Sequence, residues 1–381
     1  MLMAAACLAT GISTLDGSAR LRQRPMDDGV DLLNSLGADI SRVADTQLPL
    51  RITPTEIFRN GGSCSVAALA SSQFISALLL IAPWLKRGMQ VEFEGAQPSV
   101  SYIDLTVDCL LQVGVDVVWN SEHGTIDIPP TRLQKFHVTI EPDASSAAYA
   151  MALAAIVPGS EITFANLPRA SHQPDMAVFD ALIQLGARDC SSEKCAAIGF
   201  GKPLKGGVLD ASRWPDGSLA VMAAAAFATA PVEIRGLGTL AGKESNRIEA
   251  MSKWLRAIGA TVESGADWIR IDGRLTHAKE ISLNKSNTNS VGTFKASLDT
   301  KTNLNTVVNE NSSRNADTNS QPIHAEIVVN PYADHRIAMS AAVAGAYRGG
   351  ISISDPGCVE KSWPSFWNDW HRLLSGIEGS A

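Results

Sequence analysis

Four stretches of the chain place apolar residues at helical spacing, stop at a glycine, and continue as a short β-rich run. They are LLNSLGADI around Gly37, CLLQVGVDVVW around Gly114, ALIQLGARDC around Gly186 and WLRAIGATVE around Gly259. Successive glycines lie 72 to 77 residues apart. A glycine just past an amphipathic helix suits a C-cap that needs positive φ. A second pattern precedes each such helix: an Ala-rich stretch, apolar on all sides, followed by a short strand. The pairs are Ser71–Pro83 with Gln90–Phe93, Ser145–Ile156 with Glu161–Phe164, and Gly217–Ala228 with Val232–Arg235. A further copy is Arg336–Tyr347 with Ile351–Ser354, and Met1–Thr10 reads as the Ala-rich helix of a clipped first copy.

The repeated unit is thus strand, helix, strand, helix, hairpin, in about 70 residues, longer than a solenoid repeat. We expect an α/β (α+β) architecture in which thin Ala-rich helices form an inner set covered by sheets. From Lys279 to Gln321 the chain is dominated by Asn, Ser, Thr and Lys. That composition predicts a disordered insert, because it buries too little apolar surface to offset ordering entropy.

Composition narrows the function. Charged residues make up 19% of the 381 positions, below the ~25% usual for globular domains. The formal charge is −7 and 45% of residues are hydrophobic. A mostly disordered chain and a basic nucleic-acid binder are both excluded as readings. An anionic ligand would need cations gathered locally. No run approaches the ~20 apolar residues of a membrane helix, and the apolar Met1–Ile12 lacks the basic flank of a signal peptide. The six cysteines form no CxxC pair, so we expect reduced, mostly structural thiols in a cytoplasmic setting, with Cys190–Cys195 the one conceivable hairpin disulfide.

The candidate chemistry falls at equivalent places in the repeat. Before the Ala-rich helices stand Ser71-Ser72-Gln73, Asp143-Ala144-Ser145-Ser146, Trp214-Pro215-Asp216 and Asp334-His335-Arg336. Helix N-termini attract anions, although capping alone accounts for Ser71 or Asp143. Before the outer helices stand Arg22-Gln23-Arg24, Ser99 with Tyr102, Lys243-Glu244 with Arg247, and Lys361. One surface Lys or Arg means little, but a cation recurring at one repeat position suggests a convergent basic pocket. Asp216, Glu244 and His335 could move protons. Together these groups fit a site for phosphorylated or carboxylated small molecules.

At this point the chain resembles the 5-enolpyruvylshikimate-3-phosphate (EPSP) synthase family. The resemblance rests on Arg22-Gln23-Arg24-Pro25-Met26, Ala70-Ser71-Ser72-Gln73-Phe74, Ser101-Tyr102-Ile103-Asp104 and Asp143-Ala144-Ser145-Ser146-Ala147. It continues with Pro215-Asp216, Lys243-Glu244-Ser245-Asn246-Arg247, Asp334-His335-Arg336-Ile337-Ala338-Met339 and Asp355-Pro356-Gly357-Cys358. It implies a two-domain enolpyruvyl transferase fold of repeated βαβαββ-like units with substrates between the domains. The first domain would span residues 1–141 and the second 142–381. The implied reaction moves the enolpyruvyl group of phosphoenolpyruvate to the 5-hydroxyl of shikimate 3-phosphate, in a cytoplasmic monomer with no metal and no organic cofactor.

By the same resemblance, Ser71, Ser72, Gln73, Ser99, Tyr102, Asp216 and Lys243 would hold shikimate 3-phosphate. Arg24, Gln73, Arg247, Arg336 and Lys361 would surround phosphoenolpyruvate. Asp216 would be the base beside the attacking hydroxyl, Glu244 the acid that protonates the methylene carbon, and His335 a supporting hydrogen-bond donor. The chain departs from the family pattern in lacking a leading Gly-Ser-Lys-Ser loop and an Asn-Ala-Gly-Thr stretch, and Thr239 stands near a common substrate-binding Asn. An N-terminally truncated chain with little turnover of its own is therefore a second expectation. The related transferase acting on UDP-N-acetylglucosamine usually carries a loop cysteine, which Gly17-Ser18-Ala19-Arg20 does not offer.

Overall fold

The computed structural model describes residues 1–19, 21–67, 72–95, 100–274, 295–298 and 327–375. It divides into two compact units, Met1–Ile140 and Glu141–Ala381.

In the first unit, β1 (Ser13–Leu15), β3 (Leu50–Thr53) and β2 (Asp39–Arg42) form an antiparallel sheet. A second sheet has the order β4 (Gly62–Val66), β5 (Met89–Phe93), β7 (Thr125–Ile128), β6 (Val118–Asn120). The β4/β5 pair is parallel, as the crossover through helix α4 (Ser72–Ile81) requires, and the other pairs are antiparallel. Helix α1 (Leu2–Ala6) is shorter than the expected Met1–Thr10, and the 3₁₀ turn Ala82–Trp84 extends α4 to cover the expected Ser71–Pro83. Helices α2 (Asp27–Ser35), α3 (Glu56–Asn60) and α5 (Val100–Gln112) complete the unit. A buried hydrogen bond from the Thr106 hydroxyl to Ser76 Oγ, 2.8 Å, joins α5 to α4.

The second unit is built around three Ala-rich helices that pack on one another: α6 (Ala144–Ile156), α8 (Ser218–Ala225) and, after the insert, α10 (His335–Arg348). Every residue of α8 is buried, and so are eleven of the thirteen in α6. A helix apolar on all faces belongs inside, and alanine's small side chain lets the three axes approach closely. The Ser340 hydroxyl donates across to the Leu219 carbonyl, 3.3 Å. The covering layers are β8 (Glu161–Phe164), β10 (Ala196–Gly199) and β9 (Arg188–Asp189) on one side. The others are the sheet β11 (Gly207–Asp210), β12 (Val232–Arg235), β14 (Trp268–Asp272), β13 (Thr261–Ser264), and the pair β16 (Ile327–Val329) with β17 (Ile351–Ile353). Helices α7 (Ala177–Leu185), α9 (Arg247–Ala257) and α11 (Phe366–Ser375) are amphipathic and lie outside. The expected inner set of Ala-rich helices is present, and strands 161–164 and 232–235 fall at the residues predicted.

All four repeat glycines have positive φ: Gly37 at 88°, Gly114 at 86°, Gly186 at 129° and Gly259 at 106°. The repeat in the sequence is therefore a repeat of one helix-ending backbone conformation, which a side chain would strain.

Two details depart from expectation. Within the Asn/Ser/Thr-rich stretch, β15 (Lys295–Leu298) is a strand paired parallel with β8, where disorder was expected. The remainder of that expectation lies outside the described residues. In the β4/β5, β11/β12 and β16/β17 pairs the strand just before an Ala-rich helix pairs with the strand just after it. At β8 the parallel partner is β15 instead, and residues 131–140, ahead of α6, carry no regular structure. Backbone hydrogen-bonding at a sheet edge is sequence-tolerant, so a short polar strand can satisfy it. None of the described helices is long and apolar enough to cross a membrane.

Candidate active site

The second unit gathers the titratable residues singled out by sequence at the N-terminal ends of α8, α9 and α10. Asp216 directly precedes Gly217, the N-cap of α8. Lys243 closes the 3₁₀ turn Gly238–Gly242, and Glu244 follows it. Asn246 caps α9 by accepting the Glu249 N–H, 3.3 Å, which places Arg247 at the first helical position. Asp334 caps α10 and accepts the Arg336 N–H, 3.0 Å, so His335 and Arg336 open that helix. Lys361 ends the 3₁₀ turn Pro356–Lys361, some residues before α11 rather than at its start.

Arg247 is the hub. Its side chain is 2% exposed, and its guanidinium reaches three carboxylates. Nε donates to Asp334 Oδ2, 2.8 Å, Nη1 to Asp216 Oδ1, 2.6 Å, and Nη2 to both Glu244 Oε2, 2.8 Å, and Asp334 Oδ1, 3.1 Å. Ser245 Oγ also donates to Asp334 Oδ2, 3.0 Å. The planar five-donor fork is the side chain that can satisfy so many oxygens at once. Each of the two outer carboxylates has a lysine of its own: Lys243 Nζ is 3.2 Å from Asp216 Oδ2, and Lys361 Nζ contacts Glu244 Oε1. Arg336 Nη1 donates to the Asp216 carbonyl, 3.4 Å, and lies 3.9 Å from Asp175 Oδ2.

Four cations, Lys243, Arg247, Arg336 and Lys361, therefore interleave with four carboxylates, Asp175, Asp216, Glu244 and Asp334. The expected basic pocket is, in the second unit, a charge-compensated network. A lone buried cation would be costly, and pairing offsets part of that cost. A bound anion would compete with these carboxylates for the cations.

The network sets the proton affinities. Burial raises that of Asp216, but Arg336, Lys243 and Arg247 outweigh it and hold the carboxyl below its ordinary range. Burial also opposes ionisation of Glu244, yet the Lys361 hydrogen bond and the Arg247 charge leave it far below the usual carboxylate range. With no ligand bound, Glu244 is a carboxylate and holds no proton. Burial, then the Arg336 charge, pull His335 down to about 4, against the opposing pull of Asp334. Its ring is neutral near pH 7, with Nδ1 3.8 Å from Asp334 Oδ1, beyond hydrogen-bond range. A neutral ring can still donate from one nitrogen, which fits the supporting role expected of it.

A depressed histidine has a stability consequence. The unfolded chain binds this proton below about pH 6.5 and the native state only below about 4. Stability linked to His335 is therefore complete above about 6.5 and is lost as pH falls toward 4, by up to about 3 kcal/mol. Urea unfolding at pH 7.5 and 5 should show that loss, and His335→Gln should flatten it. An unchanged slope in the variant would reject the assignment.

The first unit carries the other predicted residues. Ser72 is buried in the first turn of α4, with Gln73 exposed beside it. Tyr102 lies inside α5, part-buried, rather than ahead of the helix as expected. Arg24 is exposed on the turn leading into α2. Ser71 and Ser99 lie outside the described residues.

Two carboxylates were not assigned roles from sequence. Asp334 is fully buried and forms the base of the Arg247 pairing. Asp175, 2% exposed, accepts the Gly217 N–H, 3.2 Å, on Oδ1 and a short hydrogen bond from Ser145 Oγ on Oδ2. Asp334 had a local signal, the Asp-His-Arg run at a helix start. Asp175 had none, since Gln-Pro-Asp reads as an ordinary turn before a helix. The six cysteines are all free thiols, Cys190 and Cys195 included.

This arrangement has relatives. The family profile described as EPSP synthase (3-phosphoshikimate 1-carboxyvinyltransferase) matches residues 1–292 and 303–370. A 3-phosphoshikimate 1-carboxyvinyltransferase of Shewanella denitrificans is 33% identical over 375 residues, which cover 98% of this chain and 76% of that protein. That of Shewanella loihica is 33% identical over 377 residues, with the same coverage. In fold, the chain is similar to EPSP synthase from Acinetobacter baumannii, with a TM-score of 0.70 at 23% identity over 98% of this chain and 76% of that one. The enolpyruvyl transferase NikO from Streptomyces tendae gives a TM-score of 0.63 at 16% identity, over 98% and 74%. Profile, sequence relatives and fold agree along nearly the whole length, and the chain belongs to the EPSP synthase (3-phosphoshikimate 1-carboxyvinyltransferase) family.

Proposed function

We propose that this chain transfers the enolpyruvyl group of phosphoenolpyruvate to the 5-hydroxyl of shikimate 3-phosphate, releasing phosphate, with the second unit supplying the proton chemistry. The observation that carries this is the pairing around Arg247: of the three carboxylates its guanidinium holds, Asp216 and Glu244 are each met by a different lysine. Addition followed by elimination needs one group to take a proton and another to give one, and two separated carboxylates supply both.

In the addition step, Asp216 takes the 5-hydroxyl proton as that oxygen attacks C2 of phosphoenolpyruvate. Lys243, beside Asp216, stabilises the charge developing on oxygen. Glu244 gives a proton to C3, which becomes a methyl group in the tetrahedral adduct. Glu244 is ionised without ligand, so binding must raise its proton affinity. The phosphate and carboxylate of phosphoenolpyruvate would draw Lys361 away and share Arg247, weakening the hold of the two cations that keep Glu244 ionised. In the elimination step, the methyl group returns a proton to Glu244, the C2–O bond to phosphate breaks with the proton held on Asp216 passing to the departing phosphate or to solvent, and the double bond re-forms. Arg336 and Lys361 would take the anionic groups of phosphoenolpyruvate, the substrate to which the family resemblance also assigns Arg24 and Gln73. Ser71, Ser72, Gln73, Ser99 and Tyr102 would hold shikimate 3-phosphate. The reading extends to a cytoplasmic monomer, consistent with six free thiols, and light scattering would check its mass.

Family membership favours this over a non-catalytic chain, and over transfer to UDP-N-acetylglucosamine. Incubation with phosphoenolpyruvate and either acceptor tests it. Phosphate release with shikimate 3-phosphate alone is expected, with product heavier by the enolpyruvyl group. No release above the protein-free control, or release only with the nucleotide sugar, would reject the proposal.

A further inference from the structure

We propose that Asp175 is a positioning residue for the reaction: a buried carboxylate that fixes both the Asp216 loop and Arg336 from beneath the site. The inference rests on the proposed activity. Its structural half is testable without turnover.

Asp175 lies in the 3₁₀ turn Pro174–Met176, ahead of α7, far in sequence from every residue in the proposed mechanism. Its side chain is 2% exposed, so it has little access to a ligand. It nonetheless touches three pieces of the site. Oδ1 accepts the N–H of Gly217, the residue after Asp216. Oδ2 faces Arg336 Nη1 at 3.9 Å and accepts from Ser145 Oγ, in the first turn of α6. Arg336 Nη1 closes the ring by donating to the Asp216 carbonyl. The hydroxyl of Tyr149, one turn further along α6, is fully buried near Arg336.

A buried carboxylate is costly unless its oxygens are hydrogen-bonded and a cation is near. Packing alone gives no reason to keep one at this place. Gly217 gives a second sign of close fitting. A Cβ built there would lie 2.6 Å from Val178 Cγ2 and 2.9 Å from Asp175 Oδ1. The backbone after Asp216 is therefore seated directly on Asp175. The carboxylate orients the proposed base through the main chain and the proposed anion-binding arginine through charge.

Two substitutions separate these tasks. Asp175→Ala removes both, and should lower kcat about 100-fold, the loss expected when a reacting group is displaced by about an ångström. Asp175→Asn keeps an oxygen for the Gly217 N–H but removes the charge facing Arg336. It should restore kcat to within about tenfold of the parent while raising the phosphoenolpyruvate KM at least about fivefold, with the shikimate 3-phosphate KM unchanged. A merely structural role would lower the active fraction and leave both KM values alone. Hydrogen exchange reads the anchor itself: the Gly217 amide should exchange at least about tenfold faster in Asp175→Ala and near the parent rate in Asp175→Asn.

Unchanged exchange at Gly217 in folded Asp175→Ala would overturn the proposal, as would a kcat within threefold of the parent. If Asp175→Ala does not fold, the asparagine variant decides, and an unaltered phosphoenolpyruvate KM overturns it. If the parent protein itself shows no turnover, the proposed function fails, while the exchange result still decides whether Asp175 anchors the loop.

Discussion

Glu244→Gln should lower kcat about 1,000-fold while leaving the KM for phosphoenolpyruvate within a few-fold. A positioned general acid contributes roughly 10²- to 10⁴-fold, and a thousandfold loss corresponds to about 4 kcal/mol of barrier. Glutamine has the size of glutamate and can still accept from Arg247 Nη2 and Lys361 through its amide oxygen. It has no proton to give to carbon at any accessible pH. Binding should survive, because removal of one negative charge leaves the cations freer for an anionic substrate. Isotope exchange offers a second readout. In heavy water the parent should place deuterium in the methylene group of phosphoenolpyruvate and product, since C3 passes through a methyl state. The variant should not. A rate within tenfold of the parent, with deuterium still incorporated, would show that another group is the acid.

The second large effect is on stability. Asp334→Ala should destabilise the protein by about 3–5 kcal/mol, the range for removing one partner of a buried ion pair. Asp334 is fully buried, and its two oxygens accept two bonds from Arg247, one from Ser245 and one from the Arg336 N–H. Its loss removes the α10 cap and leaves the Arg247 Nε–H without its carboxylate inside the protein. In a unit of this size, about 2–4 °C is lost per kcal/mol, so the melting temperature should fall by about 10 °C. Arg247→Met combined with Asp334→Leu should recover much of the loss, because a pair of apolar groups costs less than one unmatched charge. A melting temperature within 2 °C of the parent for Asp334→Ala would mean that the pair is not holding α9 to α10. The same double variant should be inactive, which would separate the stability of this network from its use.

Much of the backbone was legible before any coordinates. Residues 161–164 and 232–235 are strands where the β-rich runs lie, and the Ala-rich segments at 144–156 and 218–225 are helices buried almost throughout. The four glycines at the ends of outer helices adopt positive φ. These features depend on residues a few positions apart, so periodicity and the steric freedom of glycine report them directly. Candidate residues were legible for a similar reason: Asp216, Lys243, Glu244, Arg247, His335, Arg336 and Lys361 stand at starts or ends of elements, where turns leave side chains and backbone N–H groups available.

What the tertiary structure decided is who meets whom. The carboxylates that compensate the cations come from positions 175, 216, 244 and 334, on four separate segments. Pairing across such separations leaves no local pattern, so a cation-rich reading of the sequence becomes a balanced network once the segments converge. The same limit hid β15, whose four residues lie in an unpromising polar stretch and become a strand through an available edge on β8. It also hid Asp175, which in sequence is one more turn residue and in space lies under both the proposed base and an arginine of the site. Local sterics and amphipathic spacing are written along the chain. Ionisation state and charge pairing depend on burial and distance, which exist only after the helices have packed.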